Sequence, residues 1–232
     1  MNFTKKKLNN IAIIPARFAS KRIKNKNIKL FRSKPIIKWT FNILQKSKIF
    51  DEIFVSTESK KIYQKCKKIG IKKFIKRPKK LSNDFVGTDE VIKSAIEELS
   101  KKYELVNICC VYPCAVFLTI KDLKEAKKII SLDKKRFVYP ITEFPSPIER
   151  ALKIHKRNII TKVNKRLFNK RTQDLNKKYY DAGQFYFSHK ANWLKKNNRI
   201  NIGIKIPAYR AVDIDYPDDW KKAELLFNRI KN

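Results

Sequence analysis

Glycine is scarce in this chain, with four among 232 residues. No G-x-x-x-x-G-K-[ST] or G-x-G-x-x-G pattern occurs, which excludes the two glycine-based phosphate loops. Histidine is rarer still: His155 and His189 are the two in the chain, and neither sits in a motif suited to general base work. Cysteine is limited to Cys66, Cys109, Cys110 and Cys114. Three of these fall in the apolar stretch "LVNICCVYPCAVF". Only Cys110 and Cys114 come near the paired spacing zinc requires, and both histidines are remote, so the cysteines read as reduced, buried hydrophobes. No apolar run approaches the ~18 residues of a membrane span, and "MNFTKKKLNN" has no apolar stretch resembling a secretory signal. The expected location is cytoplasmic.

Acidic residues are also few, 21 against 56 Lys and Arg, for a formal net charge of +35. Such a charge points first to nucleic acid or an anionic surface. Its distribution argues otherwise, because pairs such as Lys60-Lys61, Lys134-Lys135 and Lys221-Lys222 recur along the whole chain instead of forming one tract. With Ile and Asn abundant and Gly rare, this is the bias of AT-rich coding, and it reads as solvated surface charge without a nucleic-acid partner. The length suits one hydrophobic core. A single domain over residues 1–232 is expected.

From Ile11 the chain alternates short apolar runs with helical periodicity. Ile11–Ala16, "EIFVST", "IKKFI", "LVNICCVY" and "RFVYPI" read as strands. Pro35–Ser47, Lys60–Ile69 closed by Gly70, Asp89–Lys102 and Ile120–Leu132 read as helices. This alternation predicts an α/β fold with a mainly parallel sheet covered by helices on both faces. After Thr142 the rhythm changes. "ALKIH" and "NIITKV" predict a hairpin turning near residues 156–158, and 162–180 is polar and without period. Residues 143–180 thus read as an excursion from the core, suited to partner or substrate contact. "GQFYF" and "INIGIKI" resume strands around a short helix over Lys190–Lys196, "AVDID" reads as the last strand, and Pro217 opens a terminal helix.

Two constellations carry chemistry. In an open parallel sheet ligands bind beyond the carboxyl ends of the strands, and the first strand runs into "ARFASKRIKNKN". Arg17, Lys21, Arg22 and Lys26 at one strand end would form a cationic pocket for a polyphosphate; a basic surface loop is the plain alternative. In "VDID", Asp213 and Asp215 would share one face of a strand with α-carbons about 6.6 Å apart. Two such carboxylates repel unless a cation lies between them, and Mg²⁺ shared with substrate phosphates is the usual solution. The alternative is a solvated loop, or Asp215 capping the helix begun by Pro217.

"IPARFASKRIKNKNI", "DEIFVSTES", "RPKKLSNDFVGT" and "AVDIDYPDDW" together resemble, in the same order, the blocks of nucleotide-sugar cytidylyltransferases that activate nonulosonic acids. The resemblance runs from Ile11 to the end. Within that family, "EFPSPIERALKI" and "RTQDLNKKYYDAGQFYF" are similar to the enzymes acting on pseudaminic acid, with those for legionaminic or N-acetylneuraminic acid as the alternative. The resemblance implies a Rossmann-like fold, a homodimer, and transfer of CMP from CTP to the sugar acid with release of pyrophosphate. It further implies a CTP site of Arg17, Ser20, Lys21, Lys26, Asn27, Arg77, Thr88 and Tyr112. Asp213 and Asp215 would bind Mg²⁺, and Gln184, Tyr186, Arg171 and Gln173 would bind the sugar, with 143–180 also serving dimerisation. Phe18-Ala19 stands where relatives commonly carry Gly-Gly, so the loop must adopt there a conformation open to an ordinary residue.

Overall fold

The structure, a computed structural model, describes residues 5–195 and 199–231. Its centre is an eight-stranded mixed sheet. Strand β1 (Lys6–Pro15) is followed by a small hairpin, β2 (Leu30–Phe31) and β3 (Lys34–Pro35), then helix α1 (Ile36–Ser47), β4 (Glu52–Thr57), α2 (Lys60–Lys68) and β5 (Lys73–Lys76). There follow α3 (Thr88–Ser100), β6 (Tyr103–Val111), α4 (Ile120–Leu132) and β7 (Arg136–Glu143). An outlying hairpin, β8 (Leu152–Ile154) and β9 (Ile160–Lys162), precedes β10 (Tyr179–Asp181), β11 (Phe185–His189), α5 (Lys190–Leu194), β12 (Ile200–Lys205) and α6 (Pro217–Lys231).

Strand β1 is the axis of the sheet, pairing in parallel with β4 and β6. Ile11, Ala12, Ile13 and Ile14 are all fully buried, since a parallel strand covered on both faces has no solvent side. Ala12 and Ile14 pack with the buried faces of α1, α2 and α4. Ile11 and Ile13 pack with α3 and α5 on the opposite face. Each fully buried isoleucine contributes about 1.5–3 kcal/mol of hydrophobic stabilisation. The helices start and stop where local chemistry dictates. The Ser59 side chain accepts the Ile62 N–H at 3.3 Å, and Gly70 follows α2 with φ +88°. At α4, Thr119 and Asp122 satisfy each other's backbone N–H groups as a capping box.

Strand β7 carries β12 along one edge, while its other edge pairs with β11 at Phe137–Val138 and with β10 at Ile141–Glu143. Strands β10 and β11 are thus one path, both antiparallel to β7, broken at residues 182–184. Gly183 makes the break with φ +61°, a left-handed value that glycine adopts without strain.

Apart from "AVDID", the expected helices and strands are present, with "EIFVST", Ile120–Leu132 and the turn at 156–158 at the anticipated bounds. Lys196, the expected end of the short helix, lies outside the described residues. Three findings differ. Strand β1 begins at Lys6, because its polar first turn still pairs with β6 from Tyr103 onward. Strand β10 overlaps the end of the stretch 162–180 expected to be without period. "AVDID" joins no ladder and runs as irregular chain, so the equal-face geometry expected of a strand does not apply. Its shape is set instead by Ile214, fully buried with Phe31, Trp220 and Phe227 beneath the site.

Candidate active site

The carboxyl ends of β1, β5 and β6 open on one side of the sheet, and the segments leaving them line a cleft of about 630 Å³. The loop after β1 is held by its backbone, which leaves its cations to the cleft. The Asn27 amide donates to the Arg17 carbonyl at 2.8 Å, and Asn27 itself is buried. Asn25, at φ 56°, turns the chain into the tight turn Lys26–Ile28. The left-handed residue of the loop is therefore Asn25 and not Phe18, whose N–H donates to Glu58 Oε1 at 2.7 Å. The bulky residue at that position is compatible with the loop for this reason.

Arg17, Ser20, Lys21, Arg22, Lys26, Asn27, Arg77, Thr88, Tyr112, Asp213 and Asp215 all line this one cleft, so every residue expected at the CTP and metal positions converges there. Lys24 is outside it. Arg17 donates to Asp84 Oδ1 at 2.6 Å and to the Asn83 carbonyl at 3.0 Å. Lys21 reaches the other oxygen, Asp84 Oδ2, at 2.7 Å. These two bonds, Lys21 first and then Arg17, hold the Asp84 carboxyl below the ordinary carboxylate range. Arg77 is 5 % exposed and tied to the Ser56 carbonyl at 3.0 Å; its burial lowers its pKa. The Tyr112 hydroxyl hydrogen-bonds the Thr88 hydroxyl at 2.8 Å, and burial pushes its pKa up to about 12.

The two aspartates occupy different environments. Burial raises Asp215, but Lys26 at 2.9 Å and Arg22 at 2.8 Å outweigh it and hold its carboxyl below the ordinary range. Its carboxylate goes to these cations and not to the helix end; the backbone N–H groups of Asp215 and Tyr216 are taken by Asp219. Asp213 is raised by burial and then by the neighbouring charge of Asp215. It lies beside the Gly183 break, where a β-carbon would come within 3.7 Å of its carboxyl. Among the described residues no group of three His, Cys, Asp or Glu side chains forms a self-sufficient metal cage. A pair of carboxylates in which burial and mutual repulsion at Asp213 outweigh the nearby Lys26 and Arg22 does fit a hard cation that takes the rest of its oxygens from a phosphate ligand.

Across Tyr112 and Thr88 lies a second cavity of about 380 Å³. Of the residues expected to meet the sugar, Tyr186 lines it, its hydroxyl donating to Asp181 Oδ2 at 2.7 Å. Gln184 does not. It is 2 % exposed, its amide donates to the Arg210 carbonyl at 2.6 Å, and its backbone carbonyl accepts the Tyr112 N–H at 2.9 Å. Strand alternation would give Gln184 and Tyr186 the same face, but Gln184 precedes β11 at the Gly183 break, where it turns to the Arg210 carbonyl and ties together the segments that frame the cleft. Arg171 and Gln173 lie in the excursion, outside both cavities, with Arg171 paired to Asp174 at 2.9 Å. The sequence reading passed over Asp84, though "RPKKLSNDFVGT" contains it, and over Arg199 and Asn201, which no local motif marks.

A cation-lined cleft at the carboxyl ends of a parallel sheet, facing paired aspartates, is the chemistry of a nucleotidyl-transferring enzyme. The profile of the family described as cytidylyltransferase matches residues 11–232, and the chain belongs to that family. It is 34 % identical to the pseudaminic acid cytidylyltransferase of Campylobacter jejuni, the match covering 95 % of this chain and 97 % of that protein. A Helicobacter pylori protein named as both pseudaminic acid cytidylyltransferase and UDP-2,4-diacetamido-2,4,6-trideoxy-beta-L-altropyranose hydrolase is 35 % identical, over 88 % of this chain and 40 % of that one. Among solved structures, CMP:2-keto-3-deoxy-manno-octonic acid synthetase complexed with CTP superposes with a TM-score of 0.69 over 96 % of this chain and 99 % of that one, at 14 % identity. That likeness is one of fold.

Proposed function

We propose that this cytidylyltransferase transfers CMP from CTP to pseudaminic acid, forming CMP-pseudaminic acid and pyrophosphate. The observation that carries the reading is the convergence of Arg17, Lys21, Lys26, Asp213 and Asp215 on one cleft, in a chain similar over nearly its whole length to a pseudaminic acid enzyme.

In this reading Arg17 and Lys21 bind the phosphates that Asp84 now mimics, Lys21 neutralising the α-phosphate and Arg17 the departing pyrophosphate. The anomeric hydroxyl of the sugar attacks the α-phosphorus, a new P–O bond forms, and the bond to the β-phosphate oxygen breaks as pyrophosphate leaves. Catalysis is then chiefly positioning and charge neutralisation. A magnesium ion held by Asp213 and Asp215 would add charge neutralisation at the α-phosphate and lower the pKa of the attacking hydroxyl. Among the described residues the cleft lining holds no histidine, so the hydroxyl proton passes to solvent. Arg77, Thr88 and Tyr112 select the base through edge hydrogen bonds that a wrong base leaves unpaired.

The same reading includes a homodimer built on the excursion. Every residue of β8 and β9 is exposed, Ile154 at 72 % and Ile160 at 57 %. A lone two-stranded hairpin is marginal in water, and one presenting isoleucines calls for a second surface. A second copy would supply that surface and could bring its own Arg171 toward the sugar.

Pyrophosphate release tests the reading, using CTP, ATP and GTP in turn with pseudaminic, legionaminic and N-acetylneuraminic acids. CTP with pseudaminic acid is expected to be fastest. A faster rate with another sugar acid moves the protein to a sister activity, and equal rates with all nucleotides overturn the cytidine site.

A further inference from the structure

We infer that the cavity beyond Tyr112 holds the sugar acid and that Arg199 binds its carboxylate. The inference rests on the proposed sugar substrate and adds to it a residue and a contact.

The cavity shares Tyr112 and Thr88 with the nucleotide cleft, so a molecule seated in it lies against the same wall as the cytidine phosphate. Its floor is aromatic. Phe137 and Tyr139 project from one face of β7, and the Tyr186 ring lies 5.7 Å from that of Tyr139. The Arg199 guanidinium stacks over the Phe137 ring, 4.2 Å from its centroid, and its Nη1 is buried with no hydrogen-bond partner among the described residues. An arginine held on an aromatic face with a fork nitrogen unsatisfied is suited to a planar anion such as a carboxylate. The backbone fixes it there: the next residue, Ile200, opens β12 and donates its N–H to the Lys135 carbonyl at 2.9 Å.

The rest of the lining narrows the ligand. Asp89, Glu90 and Asp181 share the cavity with Arg199, so simple anions are repelled from most of its surface. Asp181 is held in place by the Gly183 N–H at 2.8 Å and by the Tyr186 hydroxyl. A compatible molecule presents one anionic group to Arg199 and hydroxyl or amide donors to the acids, with apolar faces for the rings. An acylamido sugar acid has all three, whereas phosphate, pyrophosphate or a dicarboxylate does not.

The test is steady-state kinetics of Arg199→Gln and Arg199→Lys, with pseudaminic acid and its methyl ester as acceptors. We expect Arg199→Gln to raise KM for the acid about 30-fold or more while KM for CTP stays within about twofold. The wild type should strongly prefer the acid over the ester, and Arg199→Gln should bring the two near parity. Arg199→Lys keeps the charge without the fork and should fall between. It carries the test if the glutamine variant fails to fold, as judged by thermal unfolding. Unchanged KM for the acid, or an acid-over-ester preference that survives in Arg199→Gln, overturns the inference and leaves the cytidylyltransferase reading standing. A wild type that uses no nonulosonic acid overturns that reading and the inference with it.

Discussion

The two cavities on either side of Tyr112 are built by opposite means. The larger is lined by charge, with Arg17, Lys21, Arg22 and Lys26 coming from ten consecutive residues of one loop. The smaller is lined by rings and carboxylates, with Arg199, drawn from α3, β7, β10, β11, β12 and the segment after β6, and apart from residues 87–90 its parts are scattered along the sequence. A phosphate-binding loop works as a local unit, since its cations need only one anchored backbone. An acceptor cavity depends on strand register, and its parts become neighbours only when the sheet closes.

The largest expected effect lies on the charged side. Asp213→Asn or Asp215→Asn should lower kcat by two orders of magnitude or more, about 3 kcal/mol of barrier, with the fold intact by circular dichroism. Wild-type turnover by either variant at saturating Mg²⁺ would remove the pair from the mechanism. Next comes Lys21→Ala, expected to lower kcat about 10²-fold with a smaller change in KM for CTP, because its charge matters most as the phosphate is transferred. If KM alone rises, Lys21 binds ground state and transition state equally.

Tyr112→Phe sharpens the comparison, since this side chain belongs to both cavities. Loss of its bond to Thr88 should reduce kcat/KM several-fold for CTP and sugar alike, about 1 kcal/mol. An effect confined to one substrate would assign the wall to that side only.

The smallest effect concerns stability and has a defined sign. The folded pKa of Asp213 is raised from 3.8, so the fold favours its protonated form. That contribution is fully present below the unfolded value and is lost as pH rises through the folded one. At neutral pH the ionised side chain therefore destabilises the nucleotide-free protein, and Asp213→Asn should raise Tm by about 2–4 °C. The gain should shrink as pH falls to about 4. Asp215 has the opposite sign: its pKa is lowered, so its contribution is present above 3.8 and lost as pH falls through the folded value. Asp215→Asn should accordingly lower Tm at neutral pH. Equal shifts for both variants in differential scanning calorimetry would contradict the asymmetry of the pair.

Much of the charged side was legible in the sequence because its determinants are local. Residues 11–28 contain the strand, the loop and the cations together, and β4 and α4 carry unmixed periodicity with clear caps. The aspartates were legible as a pair but not in their conformation. "AVDID" alternates like a strand, yet it joins no ladder and Ile214 is buried against Phe31 of β2 and Trp220 and Phe227 of α6. Gln184 was misplaced for a similar reason, since its orientation depends on the Gly183 break and on the distant Arg210 carbonyl. Arg199 carried no signal at all. One arginine among 56 basic residues becomes distinctive only when Phe137 lies under it.

The bridge from Asp84 to Arg17 and Lys21 also bears on how a catalytic cycle would end. A carboxylate already seated on both cations keeps them from drifting apart in solvent, and each nucleotide must exchange with it to enter. A triphosphate offers several charges against one and wins that exchange; a sugar-linked monophosphate offers a single charge and competes poorly. Asp84 would thus favour departure of the product, and the measurable trace is affinity graded by phosphate number. CTP should bind more tightly than CDP, and CDP more tightly than CMP, with the steps flattened in Asp84→Asn. If the steps are unchanged in that variant by titration calorimetry, the carboxylate plays no part in letting the product go.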